Sequence, residues 1–361
     1  MSDNQQVDKI AEQNAVTDEP LAPEADVSGA SDTVDKIAPA PSEDATAAVA
    51  AAAPTTAPAA APAPAAAPPS SAAPAAPPEP KPNRIVWEAK LFFTALMFYT
   101  RIPVPSWTGY SDDQLNQSTR YFPAIGWVVG GICALFFFLA ALVLPTPLAV
   151  CVALACSILL TGAFHEDGFA DVCDGFGGGM TPERTLEIMK DSRVGAYATI
   201  GLIALFAIKI SAMTALFDLE PWLGLAALVF AHVLSRFWVV TIIYTDLYAR
   251  ADMTSKVKPI GNQISIGGVI ASALWLLPFI PLLLVRPWWA LAIPVAFFTR
   301  FKLGRWFRRR LGGYTGDCLG AAQQIMEVLI LLTIIATISI SAIIAGNPAS
   351  PFLASIAMFG L

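Results

Sequence analysis

An all-α, polytopic integral membrane fold of about seven transmembrane helices, preceded by a disordered Ala/Pro-rich tail, is what this sequence predicts. Three observations lead there. Of the 361 residues 55% are hydrophobic and only 14% are charged, against about 25% charged in a typical soluble domain. Apolar runs long enough to cross a bilayer recur after residue 120, and the remaining polarity is gathered into a few short stretches.

The tail comes first. Residues 1–83 are rich in Ala, Pro, Ser and Thr and strongly acidic. Such a segment has too few large apolar residues to offset the entropy of ordering, and its APAPAAAPP run favours extended conformers. It lacks both the basic start with apolar core of a secretory signal and the Arg-rich, acid-poor character of a transit peptide, so neither is expected. Residues 84–361 are expected to form a helical membrane catalytic domain.

Residues 84–101 are apolar but carry Glu88 and Lys90, which suits an interfacial or re-entrant helix better than a span, since crossing about 30 Å of hydrocarbon takes about 20 apolar residues. The IPVP run at 102–105 stops it. Spans are then expected at 122–144, 147–164, 196–217, 222–244, 266–285, 287–301 and 322–345, and the apolar end at 350–361 is too short to cross as a helix. With these alternating from Arg120, nearly all Lys and Arg of the domain fall on one face, Arg286 on the other, and Lys209 and Arg236 inside the membrane. That asymmetry predicts that the long loops, 165–195, 245–265 and 302–321, face the cytoplasm. The five cysteines form no C-x-x-C pair, so neither a zinc site nor a disulfide framework is expected.

The chemistry is concentrated in Phe164–Ala196, FHEDGFADVCDGFGGGMTPERTLEIMKDSRVGA. Asp167, Asp171 and Asp174 are spaced i, i+4 and i+7, one face of a helix. Like charges at that spacing destabilise a helix, and a cation relieves them; carboxylates with open positions suit Mg²⁺ or Mn²⁺. Thr181-Pro182-Glu183 reads as the start of a helix over 182–191, which would return Lys190, Asp191, Ser192 and Arg193 to the membrane surface. Carboxylates with a metal facing Lys and Arg describe a diphosphate clamp. The competing reading is a solvated loop whose acids balance nearby cations. His165 is a candidate general base or a structural imidazole.

A second polar cluster, GGYTGDCLG at 312–320, places Asp317 before a span that carries Gln324 and Glu327 on the same face. Glu327 either lines the site or pairs with Lys209 or Arg236. His232 is expected to be satisfied packing, and Lys256–Asn262 is expected to meet phosphate or anionic lipid.

HEDGFADVCDGFGGG with RTLEIMKDSRVGAYA resembles the signature of the cobalamin synthase family, the adenosylcobinamide-GDP ribazoletransferases. FFTALMFYTRIPVP, RYFPAIGWVVGG and GGYTGDCLGAAQQIMEVLIL resemble further family segments in the family's order. The resemblance implies a Mg²⁺-dependent enzyme joining α-ribazole, or its 5′-phosphate, to adenosylcobinamide-GDP with release of GMP, in the last steps of vitamin B12 synthesis. Asp167, Asp171 and Asp174 would then bind metal and act with His165, while Lys190, Asp191, Ser192, Arg193, Asp317 and Glu327 would meet substrate. The partners expected are these substrates and the lipid bilayer, not nucleic acid. A CDP-alcohol phosphotransferase shares D-G and spaced aspartates, but Phe169-Ala170-Asp171 replaces its A-R step; a transporter would place polar groups at the midplane and often shows inverted repeats, and none is found.

Deleting residues 1–80 is expected to leave turnover in liposomes unchanged; a large loss would give the tail a role beyond a solvated extension.

Overall fold

A computed structural model describes residues 83–249 and 264–344. The acidic tail, the Lys256–Asn262 stretch and the apolar 350–361 end lie outside the described residues. Within them every element is helical, apart from an isolated parallel bridge between Tyr248 and Tyr314.

Helix α1, Arg84–Tyr99, starts where the Asn83 side chain accepts from the Ile85 N–H. Glu88, which interrupts its hydropathy, accepts from Tyr121 Oη at 2.9 Å and pairs with Arg120 at 3.4 Å. The charge thus ties α1 to the segment entering the next long helix, and α1 is not among the helices long and apolar enough to cross. Ser111 caps α2, Asp112–Ser118, by accepting from the Gln114 N–H; a 3₁₀ turn, Thr119–Tyr121, then leads into α3, Phe122–Ala141.

Helix α4, Thr146–Thr161, ends at two left-handed residues, Gly162 (φ 65°) and Ala163 (φ 59°). The turn bends the chain by 89° into α5, Phe164–Gly178. Glycine is favoured at 162 because its positive φ disfavours a side chain. The HEDG motif therefore lies on a helix of its own, set off sharply from the span before it.

The remaining helices are α6, Pro182–Ile188, α7, Ala196–Leu219, α8, Pro221–Thr245, α9, Ile266–Leu274, α10, Ile280–Val285, α11, Ala292–Leu311, and α12, Gly316–Ile344. Five helical stretches are long and apolar enough to span: 112–141, 196–219, 221–245, 266–285 and 316–342, with a sixth if α4 and α5 are taken together. Among the described residues, then, five or six stretches qualify beside the seven or so expected. The expected span at 287–301 is divided between a 3₁₀ turn, Pro287–Leu291, and the first half of α11, whose second half carries Lys302, Arg305 and Arg308–Arg310.

Helix α8 is the buried centre, packed on α3, α7, α11 and α12. In lipid, helices gain little from apolar contact alone, and close backbone approach through small residues takes over. Gly126 and Gly130 of α3 provide it: a Cβ on Gly126 would lie 2.6 Å from the His232 carbonyl oxygen, and one on Gly130 3.1 Å from Val229 Cα. The same device joins α5 to α12. A Cβ on Gly168 would lie 2.9 Å from Asp317 Cα, and one on Gly320 3.1 Å from the His165 carbonyl oxygen.

The ends of the bundle differ. At one, Glu220 pairs with Arg286 at 3.3 Å, beside an apolar recess lined by Phe137, Phe217, Trp222 and Leu225. At the other, the Tyr314 N–H donates to the Leu247 carbonyl and the Ala249 N–H to that of Tyr314, while Asp246 is ion-paired with both Arg300 and Arg308.

Gly168→Val forces α5 off α12 and is expected to cost about 1–3 kcal/mol, an overpacking penalty, seen as a lower melting temperature in detergent. Gly131→Ala, where a Cβ meets nothing within 4 Å, leaves melting unchanged; equal melting of both variants would contradict the close contact.

Candidate active site

The two polar stretches of the sequence meet because α5 runs antiparallel to the first turns of α12: Gly168 lies over Asp317, His165 against Gly320, and Glu166 reaches Gln324 at 2.9 Å. That packing divides α5 lengthwise. His165, Glu166, Gly168, Ala170, Val172, Gly175 and Phe176 are buried. On the other side Asp167 is exposed and Asp171 and Asp174 are half-buried. The i, i+4, i+7 spacing thus produces the acidic face expected of it.

The C-terminal part of α5 is fastened by charge. Beyond its C-terminus the Arg310 guanidinium donates to the carbonyls of Phe176, at 2.9 Å, and Gly179, at 2.5 Å, and lies 5.1 Å from the Phe176 ring centroid. A cation at carbonyls left without helical partners is favourable. Asp174 acts across to the next helix: its two oxygens accept from the N–H groups of Gly195, at 2.6 Å, and Ala198, at 2.9 Å, so it caps the N-terminus of α7. A Cβ on Gly195 would meet the Asp174 carboxylate at 2.6 Å, hence glycine there.

Thr181 caps α6 as expected, accepting from the Arg184 N–H, with Pro182 in the first turn. The helix ends at Ile188 rather than 191, and Lys190–Arg193 follow outside it. Asp191 and Arg193 pair with each other, and hydrogen bonds from the Arg193 side chain and backbone lower the Asp191 carboxyl to about 2. The Arg193 side chain is 87% exposed, so the pair contributes little to stability. Ser192 is exposed as well.

Two expected site residues lie elsewhere. His165 is 2% exposed and lies beside the stacked Tyr99–Phe122 pair, 5.7 Å from the Phe122 centroid and 6.5 Å from that of Tyr99; it faces the interior, opposite the aspartates. Glu327 is 1% exposed and is committed to buried partners: the cations Lys209 at 2.7 Å and Arg236 at 3.8 Å, and the His232 imidazole at 3.1 Å. Of the two readings of Glu327, pairing is the one the geometry adopts. The His232 imidazole is therefore a partner of that pair rather than plain packing.

The roles of Glu166, Gln324 and Arg310 were not legible in the sequence. Glu166 sits inside the acidic motif but one position off its solvent face, and Arg310 is one of several arginines in a row.

Among the described residues no three His, Cys, Asp or Glu side chains converge into a ready-made metal cage. Mg²⁺ is commonly held by one or two carboxylates, with waters and substrate phosphates completing the shell. An exposed Asp167 and a half-buried Asp171 on one helical face fit that kind of donor set.

All of these residues fall within 91–335, the stretch that matches the family model described as Cobalamin-5-phosphate synthase. The chain belongs to the cobalamin-5-phosphate synthase family. It is 44% identical over 256 residues to a protein of Shewanella frigidimarina named adenosylcobinamide-GDP ribazoletransferase, covering 69% of this chain and 95% of that one. A protein of the same name from Leptothrix cholodnii is 42% identical over 253 residues, covering 68% and 94% respectively. No solved structure matches the chain. Membership of the cobalamin-5-phosphate synthase family sets aside the CDP-alcohol phosphotransferase and transporter readings.

Asp174→Ala removes the cap of α7 and is expected to cost about 0.5–2 kcal/mol, read as a lower melting temperature. Asp167→Asn, at an exposed carboxylate of the same helix, should melt like the parent; equal destabilisation by both would contradict the capping role of Asp174.

Proposed function

We propose that this chain is a Mg²⁺-dependent adenosylcobinamide-GDP ribazoletransferase of the bacterial cytoplasmic membrane, with its site facing the cytoplasm. The observation that supports the reading is the meeting of α5 and α12, where Gly168, in the helix that carries Asp167 and Asp171, packs on the backbone of Asp317. A hydroxyl of α-ribazole, or of its 5′-phosphate, attacks the cobinamide-side phosphorus of adenosylcobinamide-GDP. A P–O bond to ribazole forms as the P–O bond to GMP breaks, the hydroxyl proton is lost, and adenosylcobalamin, or its 5′-phosphate, and GMP result.

Phosphoryl transfer depends mainly on positioning and on neutralising charge. Asp167 and Asp171 are the residues that would hold Mg²⁺ together with diphosphate oxygens, and the ion would supply neutralisation of charge on the transferring and leaving oxygens. Lys190 and the basic end of α11, Lys302, Arg305 and Arg309, add positive charge at the same end. With His165 enclosed among Phe122, Tyr99 and Phe164, the hydroxyl proton goes to a carboxylate of the exposed face or to water. The orientation rests on the concentration of Lys and Arg at the site end, which favours the cytoplasm.

Purified protein given adenosylcobinamide-GDP and α-ribazole is expected to release GMP in step with the cobalamin product and to stop when Mg²⁺ is chelated. Asp171→Asn is expected to lower kcat at least about 100-fold, the scale of losing several kcal/mol of charge stabilisation. GMP release that persists after chelation, or parental kcat in Asp171→Asn, would overturn the metal assignment.

A further inference from the structure

Behind the acidic face of α5 lies a chain of buried polar groups that the proposed chemistry does not use. The Glu166 carboxylate accepts from Gln324 Nε2 at 2.9 Å, Gln324 Oε1 accepts from Lys209 Nζ at 2.8 Å, and Lys209 Nζ pairs with Glu327 at 2.7 Å. Gln323 Nε2 donates to the other Glu327 oxygen and contacts Ser235 Oγ at 3.3 Å, while Gln324 Nε2 also reaches Gln323 Oε1 at 3.0 Å. His232 and Arg236 complete the group on α8. Exposure is 6% at Glu166, 2% at Lys209, 3% at Gln324 and 1% at Glu327. Two carboxylates and two fixed cations, Lys209 and Arg236, balance in charge, as a buried cluster must if it is not to be severely destabilising.

This arrangement restricts how α5 can sit. Gly168 and Gly320 set the distance between α5 and α12 and admit no side chain at either point, and the buried polar contacts add a directional constraint to that steric one. One residue of register is about 1.5 Å of rise and about 100° of rotation, enough to carry Asp167 and Asp171 off the face they share. The Glu166–Gln324 bond is a polar contact that only one register satisfies, because any other leaves a buried carboxylate and a buried amide without partners. Glu166 adjoins Asp167 in the chain, so holding the first orients the second.

We propose that Glu166 and Gln324 are positioning residues: through Lys209 and Glu327 they key the rotation of α5 to α12 and so fix the direction in which Asp167 and Asp171 are presented beside Asp317. The inference rests on the transferase reading given above for its kinetic test, but not for its structural one.

The test uses the full-length protein in liposomes, with Gln324→Met, Glu166→Gln and the swapped double variant Glu166→Gln/Gln324→Glu. The swap keeps the number of charges and restores an amide facing a carboxylate, with the carboxylate now next to Lys209. Per folded protein, Gln324→Met is expected to lower kcat by about 10- to 100-fold, the scale of a small misplacement of reacting groups, with KM for adenosylcobinamide-GDP nearly unchanged. Hydrogen–deuterium exchange of residues 164–178 should quicken while that of α8 does not. The swap should recover most of the kcat lost in Glu166→Gln. Parental kcat in Gln324→Met, or a swap no better than Glu166→Gln alone, would overturn the proposal. If Gln324→Met fails to fold, the comparison of Glu166→Gln with the swap decides. If the parent shows no GMP release, the transferase reading fails and exchange decides this one: faster exchange of 164–178 in the folded variants sustains it, and exchange equal to the parent's overturns it.

Discussion

Two helices can bring their backbones into contact only where neither presents a side chain, and α5 and α12 do so at Gly168 and Gly320, with Asp317 Cα and the His165 carbonyl at the points of closest approach. The rest of the site depends on that contact. Without it the acidic face of α5 and the GGYTGD turn before α12 would remain separate features. With it, Asp317 lies at the foot of the helix that bears Asp167 and Asp171. The sharp turn at Gly162 and Ala163 serves the same end, because an α5 continuing straight from α4 would not lie along α12.

Charge is distributed in two layers around this crossing. On the solvent side are acids and cations that titrate and pair in water, where their attraction is weak; Asp191 with Arg193 is one such pair. On the interior side lies the Lys209–Glu327 pair with its amide and imidazole partners. The interior layer is costly to assemble and tolerates few alternatives. The proposed diphosphate site would benefit from the combination: an interior that holds the helix and a hydrated face able to exchange water for phosphate.

Much of this was legible in the residues. Helical spacing placed Asp167, Asp171 and Asp174 on one face, Thr181-Pro182 marked the start of α6, and the recurring apolar runs established a polytopic helical domain. What escaped the sequence was tertiary. Asp174, at i+7 of the acidic face, accepts from the backbone N–H groups of Gly195 and Ala198, partners that only the fold supplies. His165 lies two residues before Asp167 and therefore on the opposite side of the helix, where aromatic neighbours enclose it. The span at 287–301 had the composition of a membrane segment but not the continuity, because Pro287 and the arginines that follow confine its apolar part to less than the width of a bilayer.

The most direct measurement is a cryo-electron microscopy structure of the protein in lipid nanodiscs with Mn²⁺ and a non-reactive analogue of adenosylcobinamide-GDP. The account predicts diphosphate density at the α5–α12 crossing, with the ion on Asp167 and Asp171 and Asp317 alongside. Diphosphate bound at the opposite end, by Glu220, Arg286 and the apolar recess around Trp222, would contradict it.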